Sequence, residues 1–214
     1  IQRWIMSQDE QVLFNMSIGH ANPSLADIIK MVHPRPQSKK QEATFAYLLG
    51  KEYNKRYLPA LIKQFELFKK ESGQVVPDVP FRALTNCNLT TEHWSQIAKT
   101  MTWNTLRMNI NMLQRNGVFN DDKLTKELAK KLSDSKSVRK YNAFPYQLLT
   151  TYQNTQEAPI AITNALQDAL EVAVENVPVL GKVAVCIDLS GSMSSAITGN
   201  RGSVTSKTRC IDVA

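Results

Sequence analysis

Apolar residues recur with helical spacing along most of this chain, over residues 24–176. In the clearest segment, residues 57–70, the apolar side chains share one face of a helix while Lys63, Lys69 and Lys70 lie off it. That apolar face consists of Leu58, Leu61, Ile62, Phe65 and Phe68. The periodicity predicts a chain that is mostly α-helical.

Short breaks separate the predicted helices. The sharpest is His33-Pro34-Arg35-Pro36, because the residue before a proline is disfavoured in the helical conformation. Gly50 and Asn116-Gly117 are further helix ends. Helices are predicted at residues 24–32, 37–49, 57–70, 91–99, 102–115, 121–132, 145–151 and 159–176. Their spacing suggests antiparallel pairs stacked as a HEAT-like helical repeat, although no clean sequence repeat is visible.

The length and the charge of the chain limit its class. With 214 residues, 43% of them hydrophobic, it can form one large domain, or one domain and part of another. A net charge of +7 and a pI near 9.3 suggest a polyanionic partner but say nothing about fold. The three tryptophans are expected in the core rather than as platforms for nucleotide bases; they are Trp4, Trp94 and Trp103.

The cysteines indicate the cellular compartment of the protein, and the two chain ends indicate whether the sequence is complete. Cys87, Cys186 and Cys210 are odd in number and far apart, which argues against a disulfide framework or a zinc site and favours the cytoplasm. Neither a membrane-spanning run nor a signal peptide is visible, so no membrane association is predicted. The chain begins without methionine and stops in what resembles the middle of a helix, so we expect a fragment of a longer protein.

The pattern changes after residue 176. Residues 182–187 are almost wholly apolar and rich in valine and isoleucine, which predicts one buried parallel strand. Asp188, Ser190 and Ser192 follow at a spacing of two, which places them on one side of a loop at the strand's carboxyl end. Carboxylate and hydroxyl oxygens suit Mg²⁺. The alternative is a polar turn whose serines cap the next helix.

No catalytic constellation is visible. The nucleophile-elbow motif Gly-x-Ser-x-Gly is not met by Leu189-Ser190-Gly191, and no histidine follows Ser190. The sequence also shows no carboxylate dyad and no paired metal site. We therefore expect a protein that is not an enzyme, and a hydrolase acting at the metal is the least supported function.

The stretch Asp-Leu-Ser-Gly-Ser-Met at residues 188–193 resembles the metal-ion-dependent adhesion site (MIDAS) of von Willebrand factor A domains. The resemblance implies a Mg²⁺ ion held by Asp188, Ser190 and Ser192. A threonine and an aspartate that this family places far downstream would lie past Ala214. Residues 177–214 are thus expected to form the first strand and a partial helix of a truncated α/β A-like domain, and residues 1–176 the helical domain.

The helical part resembles the TROVE module of the Ro 60-kDa autoantigen family and its bacterial relatives. The resemblance rests on four stretches in the order expected for the family: Ile-Ile-Lys-Met-Val-His-Pro-Arg-Pro at 28–36, Pro-Phe-Arg-Ala-Leu-Thr-Asn at 80–86, Trp-Asn-Thr-Leu-Arg-Met-Asn at 103–109 and Asn-Ala-Leu-Gln-Asp-Ala-Leu at 164–170. The first helices of the family's module are expected to be missing.

The TROVE resemblance implies a ribonucleoprotein component that supports RNA quality control or processing. Members of the family fold their repeats into a ring closed by the A domain, and this ring is doubtful for an N-terminally incomplete chain. They bind small non-coding Y RNAs on the outer surface and the ends of misfolded RNAs in the central hole, and bacterial members assist exoribonucleases. The expected partners are therefore small structured RNAs and an exoribonuclease, and no DNA.

The candidate RNA-binding residues surround the proline corner. His33 matches a family position implicated in RNA binding, although a histidine there can equally cap the preceding helix. Lys30 lies one turn earlier, and Arg35, Lys39 and Lys40 extend a positive patch that can also be interpreted as a solvated face. Arg107 and Arg115 are candidates because they would lie two turns apart on one predicted helix and both reach a phosphate backbone.

A second function is compatible with these residues. A protein-binding adaptor would use the Mg²⁺ ion of the A-like domain to capture a carboxylate of its partner. RNA binding through phosphates weakens steeply with salt, whereas capture at a metal responds to a chelator.

Overall fold

A computed structural model describes residues 1–19, 21–71, 73, 75–155, 157–178, 181–182, 184, 186–197 and 208–213. The chain forms two compact units, Ile1–His93 and Trp94–Ala214. Within the described ranges all elements longer than a single bridge are helical, and one isolated antiparallel bridge joins Ala196 and Arg209. The domain boundary predicted after residue 176 is not tested by the division into these two units and stays a prediction.

The first unit contains α1 (Gln2–Ser7), α2 (Glu10–Ser17), α3 (Leu25–Val32), α4 (Lys39–Leu48), α5 (Ala60–Glu71) and α6 (Phe81–Leu84). Helix α7 (Thr91–Thr100) includes the boundary. Side chains from the first four helices form one buried cluster of Ile5, Leu13, Leu25, Ile29 and Phe45. The Ser24 hydroxyl accepts from the Asp27 amide and the Asp27 carboxylate accepts from the Ser24 amide, a capping box that fixes the start of α3.

The predicted helix at residues 57–70 begins later than expected. A 3-10 turn at Lys55–Tyr57 precedes it, and Leu58 has extended backbone with ψ of 138°. The cause is Pro59, which disfavours helical geometry in the residue before it. The predicted apolar face is confirmed at Leu58, Ile62, Phe65 and Phe68, which are buried, while Leu61 is partly exposed.

The second unit contains α8 (Trp103–Met108), α9 (Ile110–Arg115), α10 (Asp122–Leu132), α11 (Ser135–Lys140), α12 (Pro145–Asn154) and α13 (Ile160–Val174). Helix α13 packs against α10, α11 and α12. It buries its small and branched residues there: Ile162, Ala165, Leu166, Ala169 and Ala173.

The single helix predicted over residues 102–115 is wrong. It is broken at Asn109, whose backbone leaves helical geometry (φ −116°, ψ 13°) and whose side-chain amide donates to the Thr105 carbonyl at 2.7 Å. Asparagine side chains compete with the helical backbone for hydrogen bonds in this way. Arg107 and Arg115 therefore lie on different helices.

The strand predicted at residues 182–187 is not seen in the described part of that segment. Lys182, Ala184, Cys186 and Ile187 are exposed and have no strand geometry, and Val183 and Val185 lie outside the described residues. A strand needs a neighbour to satisfy its amides and carbonyls, and no strand partner occurs in the described ranges. The helical elements in the described residues after 187 are two 3-10 turns, Gly191–Ser194 and Cys210–Asp212, so the expected partial helix of the A-like domain is not seen in those residues.

The tryptophans divide between core and surface. Trp94 and Trp103 are buried as expected, but the prediction was wrong for Trp4, which is 45% exposed. Trp4 lies on a six-residue helix whose buried position is taken by its neighbour Ile5. Among the described helices none has both the length and the apolar character required to cross a membrane.

Candidate functional site

A groove of about 330 Å³ lies where α3 ends and α4 packs beside it. Its buried lining is apolar and includes Ile29, Pro34 and Phe45, whereas Lys30, His33 and Lys51 are exposed. The groove is completed by Pro36, Glu42, Ala46 and Leu49. With two lysines and one glutamate exposed at its edge, the groove carries a net positive charge, and its apolar floor can accept a flat ring with an attached phosphate.

His33 forms the turn at the head of this groove. Its backbone is left-handed (φ 45°, ψ 58°), a conformation that costs free energy in residues with a side chain and occurs more often in histidine than in most residues. Its Nδ1 lies 3.3 Å from the Met31 carbonyl oxygen. One ring nitrogen of His33 therefore caps the end of the preceding helix, as the capping interpretation expects. The ring remains exposed and lines the groove.

Lys30 and Arg35 carry charges that are available to a ligand. The Lys30 ammonium is 3.9 Å from an Asp27 carboxylate oxygen, and both side chains are more than half exposed, so the pair is weak. Hydrogen bonds from Ser24, more than Lys30, lower the pKa of Asp27. Arg35 is exposed between two prolines, and no ion pair to it is found among the described residues.

Lys39 and Lys40 are already engaged by the protein. The Lys39 ammonium lies 5.3 Å from the centre of the Tyr57 ring. Lys40 pairs with Glu10 at 2.7 Å, and this hydrogen bond raises the pKa of Lys40. Because the Glu10 side chain is only 12% exposed, Lys40 offsets a partly buried negative charge that joins α4 to α2. Among the predicted RNA-binding residues at the corner, Lys40 is thus the most committed to the fold.

The Arg107 guanidinium is bound inside the second unit. It donates to the Gln147 carbonyl at 3.1 Å, to the Thr151 hydroxyl at 2.8 Å and to the Asn104 side chain at 3.0 Å. It also lies 5.9 Å from the centre of the Trp103 ring, and burial lowers its pKa. A phosphate would have to displace these partners. Arg115 is exposed, and its Nε donates to the Asn111 carbonyl at 3.2 Å.

The predicted metal ligands lie together in one turn. The Ser190 amide donates to Asp188 Oδ1 at 2.8 Å, and the hydroxyl oxygens of Ser190 and Ser192 are 2.8 Å apart. Hydrogen bonds from Ser190 lower the pKa of Asp188. Ser190 precedes the 3-10 turn Gly191–Ser194 without a capping hydrogen bond from its side chain.

The donor set suits a hard cation, since all three side chains offer oxygen. The described residues contain no cluster of three histidine, cysteine, aspartate or glutamate side chains that could hold a metal. A site here therefore depends on the two hydroxyls and on ligands from outside this turn.

Two residues with clear structural placement were not predicted. Lys51 joins the groove because Gly50 takes a positive φ of 67° and turns the chain back after α4, where the Lys51 amide bonds to the Ala46 carbonyl at 2.9 Å. His93, 4% exposed, accepts from the Thr90 amide at 3.1 Å and has its other ring nitrogen 2.8 Å from the Gly73 carbonyl. The glycine that follows α4 could have indicated the position of Lys51. The position of His93 depends on its contact with Gly73, which lies 20 residues away in the sequence.

In its described residues the chain is a helical protein, with a charged corner between α3 and α4 in the first unit. A solved structure with this fold is the Ro (RSR) protein of Deinococcus radiodurans, with a TM-score of 0.60 and 16% sequence identity over 83% of this chain. The chain spans 41% of the length of that protein. No protein-family model and no curated protein matches the sequence. The comparison confirms the predicted Ro-type fold of the helices.

Proposed function

We propose that this chain is the RNA-binding part of a Ro-like TROVE protein, a non-catalytic component of a ribonucleoprotein. The observation that carries the proposal is the groove at the α3–α4 corner, which combines an apolar floor with Lys30, His33 and Lys51 in a Ro-type fold. Its RNA ligands would be small and structured, such as Y-like RNAs or misfolded RNAs with unpaired ends. An exoribonuclease partner and a cytoplasmic location complete the proposal.

The groove offers different contacts to the two parts of a nucleotide. Lys30 and Lys51 in the groove, together with Arg35 beside it, would contact phosphates, which set affinity and orientation but do not distinguish sequences. The exposed His33 ring and the adjacent prolines would lie against an unpaired base, the usual target of sequence-sensitive RNA recognition. Since Pro34 and Pro36 restrict the backbone on both sides of Arg35, binding would cost little backbone entropy.

A charge variant tests the groove. Replacing Lys30, Arg35 and Lys51 together by glutamine should weaken binding of a small structured RNA with a single-stranded end. The log–log salt slope should flatten by roughly 0.7–0.9 for each phosphate group that the variant no longer neutralises. The measurement is a filter-binding titration of the full-length protein at several salt concentrations. His33→Ala should lower affinity with little change in slope, because a stacked or hydrogen-bonded base contributes no counterion release.

The matched control removes the same charge from α10. Lys123, Lys126 and Lys130 are exposed on α10, in the unit that does not contain the groove. Their joint replacement by glutamine should leave the slope nearly unchanged. If both triple variants weaken RNA binding equally, the effect is one of net charge and the groove is not the site. Undiminished binding by the groove variant also contradicts the proposal.

A second candidate function is metal-dependent capture of a protein partner at the Asp188 turn. The grouping of the Asp188 carboxylate with two serine hydroxyls favours it. A bound Mg²⁺ would supply an open coordination position for a carboxylate of the partner, with Asp188, Ser190 and Ser192 orienting it.

Calorimetry of the full-length protein tests this second candidate. We expect saturable Mg²⁺ binding that Asp188→Asn abolishes, because one carboxylate oxygen and the formal charge are removed together. Asp212→Asn is the control, since its carboxylate is paired with Arg209. Heats of Mg²⁺ addition that are absent in the wild type, or unchanged in Asp188→Asn, contradict the site.

A further inference from the structure

Three aromatic side chains are exposed at the corner between α11 and α12 in the second unit. Tyr141 is 41% exposed, Phe144 40% and Tyr146 42%. They fall within six residues of chain and lie in the unit that does not contain the groove. Aromatic side chains are enriched at interfaces, so three exposed rings within six residues mark a candidate contact surface.

Underlying contacts hold these rings in place. Tyr141 stacks on the buried Trp103 with ring centres 5.8 Å apart and planes 22° from parallel. Phe144 and Tyr146 are also nearly parallel, at 21° and 6.3 Å. Trp103 is fixed in turn because its indole N–H donates to the Leu132 carbonyl at 2.8 Å. The exposed faces are therefore presented by an ordered support.

Arg107 links the two pairs of rings. Its guanidinium lies over the Trp103 ring, and it hydrogen-bonds to α12, the helix on which Tyr146 lies. Its hydrogen bonds to Gln147 and Thr151 attach α8 to α12, the helix that follows Phe144. Arg107 is thus a positioning residue for the aromatic corner.

Three exposed cations precede the same rings along the chain. Lys136, Arg139 and Lys140 are exposed on α11, immediately before Tyr141. Arg139 pairs with Glu175 at 2.6 Å, but both side chains are more than half exposed, so an anion could compete for it. No ion pair to Lys136 or Lys140 is found in the described part of the chain. Asp134, the nearest acid in sequence, caps α11 through the Ser137 amide.

We propose that this aromatic corner, Tyr141, Phe144 and Tyr146 with Lys136, Arg139 and Lys140, binds unpaired RNA nucleotides. The rings stack on bases and the cations contact phosphates, a combination that binds single strands with little sequence preference. The adjacent positive charge favours a polyanion over an apolar protein partner. The inference rests on the proposed function and adds a second, single-strand contact in the other unit.

The test uses a single-stranded oligouridine, which lacks the paired structure of the RNA used for the groove. In the full-length protein, Phe144→Leu with Tyr146→Leu keeps apolar bulk and removes the stacking faces. Affinity measured by fluorescence anisotropy should fall about five-fold or more for each base that is no longer stacked, with the salt slope unchanged. Trp4→Leu is the control, because Trp4 is a similarly exposed aromatic in the first unit.

A direct readout accompanies the affinity. Oligouridine that carries 5-iodouridine should crosslink to the peptide containing residues 141–146, since this photochemistry favours stacked aromatic side chains. Melting temperatures of the variants should match the wild type. Unchanged oligouridine affinity in the double variant, or crosslinks confined to other peptides, overturns the proposal and leaves the corner as a protein-docking face.

The two proposals fail separately. If the groove variant of Lys30, Arg35 and Lys51 no longer binds structured RNA while the Phe144→Leu, Tyr146→Leu double variant still binds oligouridine, only the proposal for the aromatic corner is wrong. If the double variant no longer binds oligouridine while the groove variant binds structured RNA normally, only the assignment of the groove is wrong. Absence of any RNA binding by the wild type removes both.

Discussion

Trp103→Ala should lower the free energy of unfolding by about 3–5 kcal/mol. The side chain is 2% exposed, and alanine would leave a large cavity beneath Tyr141 and Arg107. It would also remove the hydrogen bond to the Leu132 carbonyl at the end of α10. The measurement is a urea titration followed by far-UV circular dichroism, compared at an unchanged m-value.

Two controls separate these contributions. Trp4→Ala makes the same chemical change at a position that is 45% exposed, and it should cost far less. Tyr141→Ala removes the stacked ring but leaves Trp103. It should cost about 0.5–1.5 kcal/mol for the lost ring pair, in addition to the free energy of the apolar area that is no longer buried. Equal losses of stability in Trp103→Ala and Trp4→Ala would contradict the central packing role given to Trp103.

Phe65→Ala should be comparably destabilising, by about 3–5 kcal/mol, in the first unit. Phe65 is 7% exposed and meets the buried ring of Phe14 at 5.5 Å in a tilted arrangement. Truncation therefore removes one ring from the core and one of the two rings that meet Phe14, the other being Tyr47. Urea unfolding of the variant measures the change in stability.

Leu67→Ala provides the matched control for Phe65→Ala. It lies two residues away on the same helix and is 58% exposed, so it tests truncation on α5 without a cavity. Surface changes of this kind usually stay within about 0.5 kcal/mol. A Phe65→Ala protein as stable as Leu67→Ala would show that α5 does not anchor the core.

Residues at the helix ends predicted those helices whose ends depend on nearby residues alone. The helices predicted to begin at Ser24 and Asp121 have these residues as side-chain N-caps in the structure, and the helix predicted to end at Gly50 is followed there by a turn with positive φ. Each of these ends is decided within a few residues. The break at Asn109 was missed because apolar spacing continues smoothly across it. The short helix α11 was missed because six residues carry too little periodicity to be detected.

The candidate site was predictable in part for the same reason. The proline corner and His33 are local features, and they do line a groove. Whether a lysine there is free depends on partners distant in sequence: Lys40 meets Glu10 across 30 residues, and nothing near Lys40 indicates it. The strand predicted at residues 182–187 is not seen in the described residues of that segment, and local pattern alone cannot establish it, because a strand exists only with a partner to which it can hydrogen-bond.

The hydrogen bonds of Arg107 have a consequence for comparisons among relatives. Three acceptors on two helices surround a flat guanidinium, and lysine cannot satisfy them, since its single ammonium group lacks the fork geometry. Selection for helix packing alone would therefore keep arginine at this position through evolution. An invariant arginine in an alignment of such proteins would be easily mistaken for a nucleic-acid contact, although architecture is sufficient to preserve it.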